Sequence, residues 1–155
     1  LCLLPFDSTR KRMSIIVRMN NQIFLFIKGA ETSIWPHLNG FNNEVVKANT
    51  EQHIHMFAER GYRSLLVAYR QLTLTEFEEW YQCYTRAANL LEGREEAISE
   101  TAVNIERNLI LTGVTAVEDK LQDGVPESIE SLRLAGIKIW LLTGDKQVNE
   151  ICLQV

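Results

Sequence analysis

Four short stretches place residue types that can handle a phosphate or a flat ring at the edges of apolar runs. Thr143-Gly144-Asp145 follows directly on the apolar run from Ile137 to Leu142. A glycine there permits close backbone approach to a phosphate, a threonine hydroxyl can hydrogen-bond it, and a carboxylate can help to hold Mg²⁺. A triplet of this kind is also a common turn at a strand end. Lys28-Gly29-Ala30 closes a second apolar run. Its ammonium can act as a point charge for a phosphate, or can lie along the strand end with its head in water. Phe6 can stack on a base, an interaction worth roughly 1–3 kcal/mol, or can fill a core as most phenylalanines do. Arg63, just after Gly61, can turn its planar fork to a phosphate or pair with a surface carboxylate. The common nucleotide signatures are absent: there is no Gly-x-x-x-x-Gly-Lys-Ser/Thr loop, no Gly-x-Gly-x-x-Gly turn and no nucleophile elbow around a serine. Any nucleotide is therefore held by another design.

The elements that must position these residues can be read from period and punctuation. Met13 to Met19 and Gln22 to Lys28 are rich in β-formers, and Asn20-Asn21 between them tolerates positive φ, which predicts a hairpin. Glu44 to Arg60 predicts a helix with Ile54, Phe57 and Ala58 on one face and Gly61 as its left-handed cap. Ser64 to Tyr69 predicts a strand. Thr75 and Glu78 match a capping box, from which a charged helix runs through Trp80, Tyr84 and Leu91, broken near Gly93 and resuming towards Asn104. Asn108 to Val117 is a strongly apolar strand. Beyond it, Pro126 suits a first helical turn, Ile129, Leu132 and Ala135 give that helix a buried face, and Gly136 stops it. Ile137 to Leu142 is apolar throughout save Lys138, as expected of a parallel strand covered on both sides. That puts Thr143-Gly144-Asp145 at a strand's carboxyl end, where open α/β sheets hold ligands.

Composition narrows the classes. The 155 residues are 46% hydrophobic and 23% charged, as in an ordinary globular protein, with a net charge of −4 and so no basic footprint for nucleic acid. The one basic cluster, Arg10-Lys11-Arg12, reads as a solvated rim. The longest apolar runs fall far short of the roughly 20 residues a bilayer span needs. Pro5 and Asp7 interrupt the apolar start, so no signal peptide is expected, and the chain reads as a fragment. Cys2, Cys83 and Cys152 are widely spaced, which predicts free, mostly buried thiols in a reducing compartment. His37, His53 and His55 have no ligand spacing, so no metal site is expected.

The character changes at Glu118-Asp119. An α+β domain with an antiparallel sheet is expected over residues 1–118. Part of a doubly wound, parallel-sheet α/β domain is expected over 119–155, too short to close a core alone.

The order of the motifs resembles the P-type ATPases, in the form of their phospholipid-flippase branch. Phe6-Asp7-Ser8-Thr9-Arg10-Lys11-Arg12-Met13-Ser14 resembles the stretch that opens the family's nucleotide pocket. Lys28-Gly29-Ala30-Glu31 is similar to its Lys-Gly-Ala motif and Gly61-Tyr62-Arg63-Ser64-Leu65 to its Gly-x-Arg-x-Leu. Leu121-Gln122-Asp123-Gly124-Val125-Pro126-Glu127, with Glu118-Asp119-Lys120 before it, resembles the hinge into the phosphorylation domain. Leu134 to Trp140 and Thr143-Gly144-Asp145-Lys146 follow in the family's order. Glu31 stands where flippases commonly have Asp, and Val148 to Val155 departs from the small-residue segment the family carries there.

The resemblance implies a nucleotide-binding domain followed by the start of a dehalogenase-like phosphorylation domain. It implies that Phe6 stacks on adenine, Lys28 lines the pocket, Arg63 contacts the phosphates and Lys11 is a further pocket residue. Thr143 and Gly144 would hold the transferred phosphoryl group, Asp145 would lie on the nucleotide or Mg²⁺ side, and Asp119 would belong to the interdomain hinge. The implied whole protein moves aminophospholipids between leaflets with ATP and Mg²⁺, through an aspartyl-phosphate, at the cytoplasmic face of a plasma, Golgi or endosomal membrane and with an accessory subunit. The Asp-Lys-Thr-Gly-Thr acceptor motif and the Mg²⁺-holding Gly-Asp-Gly-x-Asn-Asp do not occur in this sequence, so the fragment is expected to be soluble and to bind ATP without turning it over. A second reading is a truncated, non-catalytic nucleotide-binding module. A small dehalogenase-like phosphatase comes last, because it requires an Asp-x-Asp motif that this sequence lacks.

Overall fold

The computed structural model describes residues 1–40, 44–118, 120 and 122–140. Its elements run β1 (Cys2–Asp7), β2 (Arg12–Met19), β3 (Gln22–Gly29), α1 (Glu31–Ile34), a 3-10 turn (Trp35–His37), α2 (Glu44–Glu59), β4 (Arg63–Leu72), α3 (Leu74–Ala88), α4 (Arg94–Ile105), β5 (Ile110–Val117) and α5 (Val125–Leu134). The strands form one sheet in the order β1-β2-β3-β4-β5. The β1–β2, β2–β3 and β3–β4 pairings are antiparallel. This is the α+β architecture expected of the first part. The chain divides into two compact units, one of Leu1–Glu51 with Leu65–Thr115, the other of Gln52–Ser64 with the described residues from Ala116 on.

The β2–β3 hairpin is the one the sequence predicts. Asn20 and Asn21 take φ of 48° and 60°, the positive pair that matches a two-residue turn to the twist of its strands. Every second residue then faces the core: Arg12, Ser14 and Ile16 on β2, Ile23, Leu25 and Ile27 on β3, Leu66, Ala68, Arg70 and Leu72 on β4. The opposite face carries Met13 and Val17, then Phe24, Phe26 and Lys28, then Val67 and Tyr69. On this face the rings of Phe24, Phe26 and Tyr69 follow one another with centroids 6.0 and 6.3 Å apart.

Helices α3 and α4 lie on the core face. Phe77, Trp80 and Ala87 of α3 and Ala102 and Ile105 of α4 are buried, and Trp80 donates its indole N–H to the Thr101 carbonyl at 2.8 Å. Arg70 reaches both helices, donating to the Arg107 carbonyl at 2.9 Å and pairing with Glu76. That pair sets the start of α3. The cap is Thr73, whose hydroxyl accepts from the Glu76 N–H at 3.1 Å, not the expected Thr75. Thr73-x-x-Glu76 satisfies the same pattern two residues earlier, and the buried Arg70 decides between them. Gly93 ends the interruption between α3 and α4 with φ 65°, and Leu91 lies in the connecting loop, fully exposed.

In the other unit, Gly61 (φ 72°) closes α2. Tyr62 N–H reaches the Phe57 carbonyl and Gly61 N–H the Ala58 carbonyl, both at 2.9 Å, the double bond of a glycine-capped helix end. Helix α5 starts with Pro126 in its first turn and ends at Gly136 (φ 77°), as expected. Two further expectations fail there. Ile129 and Leu132 are 38% and 42% exposed instead of buried, and α5 has no buried residue. Ile137 to Trp140 have no regular structure, and the last two residues of that expected strand lie outside the described ones. A parallel strand and its crossover helix need neighbouring strands to bury against, and none of the five strands pairs with this segment. Among the described residues no helix is long and apolar enough to cross a membrane. Cys83 is exposed and Cys2 half-buried, both unbridged, so these two thiols are less buried than expected, because Cys83 falls on the outer side of α3.

Candidate functional site

The stretch from Pro5 to Ser14 and the end of β3 form one constellation. β1 and β2 keep register through Leu4 with Ser14 and resume it at Asp7 with Arg12. Pro5 and Phe6 together therefore oppose the single residue Met13, which is a β-bulge. On its other side Met13 pairs with Lys28, and Lys28 with Val67. Phe6 and Lys28 thus flank Met13 on the two strands beside β2, about 10 Å apart at the usual strand spacing. Phe6 is 64% exposed, so it is not the core phenylalanine its type would suggest. Lys28 is exposed too.

Lys11 joins them through its backbone. It has φ 52° and closes the turn by donating its N–H to the Asp7 carbonyl at 2.7 Å, while its own carbonyl accepts from the Ala30 N–H at 3.0 Å and from the Ser33 hydroxyl at 3.2 Å. Its side chain is exposed. Gly29 makes this closure sterically feasible. A Cβ on Gly29 would sit 2.5 Å from the Arg12 Cβ and 2.7 Å from the Lys11 carbonyl oxygen. The glycine beside Lys28 thus has a packing reason independent of any ligand.

The basic triplet is the main correction to the sequence reading. Arg10 and Arg12 are no solvated rim; they are 8% and 5% exposed. Both grip Glu106, which is fully buried. Arg10 donates to one carboxylate oxygen and Arg12 Nε to the other, each at 2.7 Å, and the Ser14 hydroxyl adds a third bond at 2.7 Å. Arg10 also donates to the Pro5 carbonyl at 2.8 Å, and Arg12 to the Ser33 carbonyl at 3.4 Å. Residues 10, 12 and 14 share one side of the strand and its approach, so of the three cations only Lys11 faces outwards. Sequence reasoning missed Glu106. The alternation Arg10-x-Arg12-x-Ser14-x-Ile16 was the available signal, because cations on a strand's inward face require a buried anion.

The electrostatics follow. The Thr9 backbone N–H, 2.8 Å from Asp7, holds the Asp7 carboxyl below its usual value, with Arg10 adding to the effect. Burial holds His37 below its ordinary value, and the Arg12 charge adds to that while Glu106 opposes it.

Phe6 also lines an open cleft of about 760 Å³ between the Pro5–Arg10 segment and α4, whose wall includes Arg94, Glu96, Ser99 and Val103. Lys11 and Lys28 do not line it. The structure therefore brings Phe6 and Lys28 together by strand register, with Lys11 tied to the end of β3 through its backbone, rather than in one enclosed cavity. Arg63 is the first residue of β4, exposed, and belongs to the other unit. Asp119, Thr143, Gly144 and Asp145 lie outside the described residues.

The fold defines an α+β domain with antiparallel strand pairs, in which an exposed ring and an exposed lysine flank one bulged rung and a second exposed lysine sits in the turn before β2. Residues 1–124 match the family model for the cytoplasmic domain N of P-type ATPases, and the chain belongs to that family. It is similar to phospholipid-transporting ATPase DRS2 of Saccharomyces cerevisiae, 51% identical over 94% of this chain and 11% of that protein. It is likewise similar to phospholipid-transporting ATPase VD of Mus musculus, 45% identical over 97% of this chain and 11% of that protein. Phospholipid-transporting ATPase 1 of Arabidopsis thaliana is 45% identical over 96% of this chain and 13% of its own length. The chain thus spans roughly a tenth of the length of these relatives.

Proposed function

We propose that this chain is the ATP-holding part of an ATP-driven phospholipid flippase. The observation that carries the reading is the bulged rung, on which Phe6 and Lys28 flank Met13. Their separation is comparable with the reach from an adenine ring to the phosphates of its nucleotide. Phe6 stacks on the base against the Met13 side chain, Lys28 and Lys11 supply point charges towards the phosphates, and Arg63 contributes its planar fork, the role the family resemblance implies for it. Residues 1–118 form the nucleotide-binding domain, and 119–155 begin a dehalogenase-like parallel domain. In that second part Thr143 and Gly144 hold the transferred phosphoryl group with Asp145 beside them, and Asp119 lies in the hinge.

Mg²⁺ accompanies the nucleotide's phosphates, and Asp145 lies on the nucleotide or Mg²⁺ side. The acceptor aspartate of the aspartyl-phosphate step is not in this sequence, so the chain binds and orients ATP without turnover. Phosphoryl transfer is mainly positioning and charge stabilisation, and that is the work assigned to these side chains. The whole protein would move aminophospholipids between leaflets from the cytoplasmic face of a plasma, Golgi or endosomal membrane, with its accessory subunit.

Phe6→Ala or Lys28→Ala is expected to weaken binding of the non-hydrolysable analogue AMP-PNP about tenfold, equivalent to about 1.4 kcal/mol. Isothermal titration of the full chain measures it. Unchanged affinity in both variants would remove the pocket from this account.

A further inference from the structure

The buried carboxylate of Glu106 bonds Arg10, Arg12 and Ser14, none of them assigned to the nucleotide, yet each lies next to the segment that carries residues that are. Through Arg10 it holds the Pro5 carbonyl, and Pro5 with Phe6 forms the bulge opposite Met13. Through Arg12 it holds the residue that pairs with Gly29, beside Lys28, and that also reaches the Ser33 carbonyl. Ser33 in turn bonds the Lys11 carbonyl. Ser14, its third partner, sits opposite Leu4, where the bulge begins. A single anion from the end of α4, more than 90 residues along the chain, is thus the hub of the bonds that fix both flanks of the bulged rung.

We infer that Glu106 is a positioning residue for nucleotide binding: it draws Arg10 and Arg12 inwards and sets the ring of Phe6 and the ammonium groups of Lys11 and Lys28 at their working spacing. The inference rests on the nucleotide reading above. It differs from a role in stability alone because it makes affinity depend on Glu106 only while the positioned side chains are present.

The test is a double-mutant cycle by calorimetric titration of the full chain with AMP-PNP, at a temperature where circular dichroism shows each variant folded. Glu106→Gln keeps the shape and removes the charge. It is expected to weaken AMP-PNP binding about fivefold in the otherwise unaltered chain, and less than about twofold in the Phe6→Ala/Lys28→Ala background. Equal fold-changes in both backgrounds, or none in either, would overturn the inference. Should Glu106→Gln not fold, Arg10→Gln, which releases Pro5 but leaves Arg12 on Glu106, takes its place. The expected result is then a loss of about threefold that vanishes with Phe6→Ala, and wild-type affinity overturns the proposal. If Phe6→Ala and Lys28→Ala themselves bind AMP-PNP like the parent chain, the nucleotide reading falls and this inference with it. If they weaken binding while Glu106→Gln and Arg10→Gln do not, only the inference falls.

Discussion

Glu106→Ala is expected to lower the stability of the chain by about 3–5 kcal/mol, the usual cost of breaking a buried ion pair from one side. The carboxylate is fully buried and takes three hydrogen bonds of 2.7 Å. Without it, the nearly buried Arg12 guanidinium loses its carboxylate partner, and Arg10 keeps as its carboxylate only the more exposed Asp7, 3.5 Å away. A domain of this size has roughly 5–15 kcal/mol in hand, so the loss consumes much of the total. Urea unfolding reads it as a lower midpoint. The cost belongs to the orphaned cations rather than to any large net worth of the cluster. Replacing Arg10, Arg12 and Glu106 together by apolar residues of similar volume is therefore expected to cost far less than Glu106→Ala alone. A Glu106→Ala variant as stable as its parent would show that the cluster is open to water.

Gly29→Ala comes next in size. The added Cβ would meet the Arg12 Cβ at 2.5 Å, the Lys11 carbonyl oxygen at 2.7 Å and the Arg12 Cα at 2.9 Å. Two of these atoms are backbone and the third is joined directly to it, so no rotamer change relieves the contact. The rung between Arg12 and Gly29 must open, and with it the Ala30–Lys11 hydrogen bond. Overpacking of this kind costs about 1–3 kcal/mol, and AMP-PNP affinity is expected to fall with it because Lys11 and Lys28 flank the opened rung. Gly93→Ala makes the control: nothing lies within 4 Å of a Cβ there, so its cost is that of the positive φ alone and its affinity stays that of the parent. Equal affinities for Gly29→Ala and the parent would mean that the rung does not set the two lysines.

Local chemistry made much of this fold legible in the sequence, and long-range pairing hid the rest. Asn20-Asn21 announces its hairpin because a positive-φ pair has few other uses, and Gly61, Gly93 and Gly136 mark helix ends for the same reason. Phe6, Lys11 and Lys28 could be picked out by type and order, but their juxtaposition depends on a bulge, and an extra residue in one strand leaves no trace in periodicity. Glu106 was out of reach of local reading: its partners lie 92 to 96 residues away, so Arg10 and Arg12 looked like surface charges. The cap of α3 was ambiguous, because Thr73 and Thr75 each have a glutamate three residues on, and a tertiary contact from Arg70 selects between them. The apolar stripe of α5 promised burial, but a stripe becomes a core only when another element meets it.

On the proposed reading, a nucleotide lies on the rung of Phe6, Met13 and Lys28. Its most direct test is a two-dimensional amide and methyl NMR titration of the full chain with Mg²⁺ and AMP-PNP. The Met13 methyl and the amides of Phe6, Lys11, Lys28 and Gly29 are expected to shift first and together, while those of α3 stay in place. Saturable binding that leaves this rung unmoved and shifts residues elsewhere would contradict it.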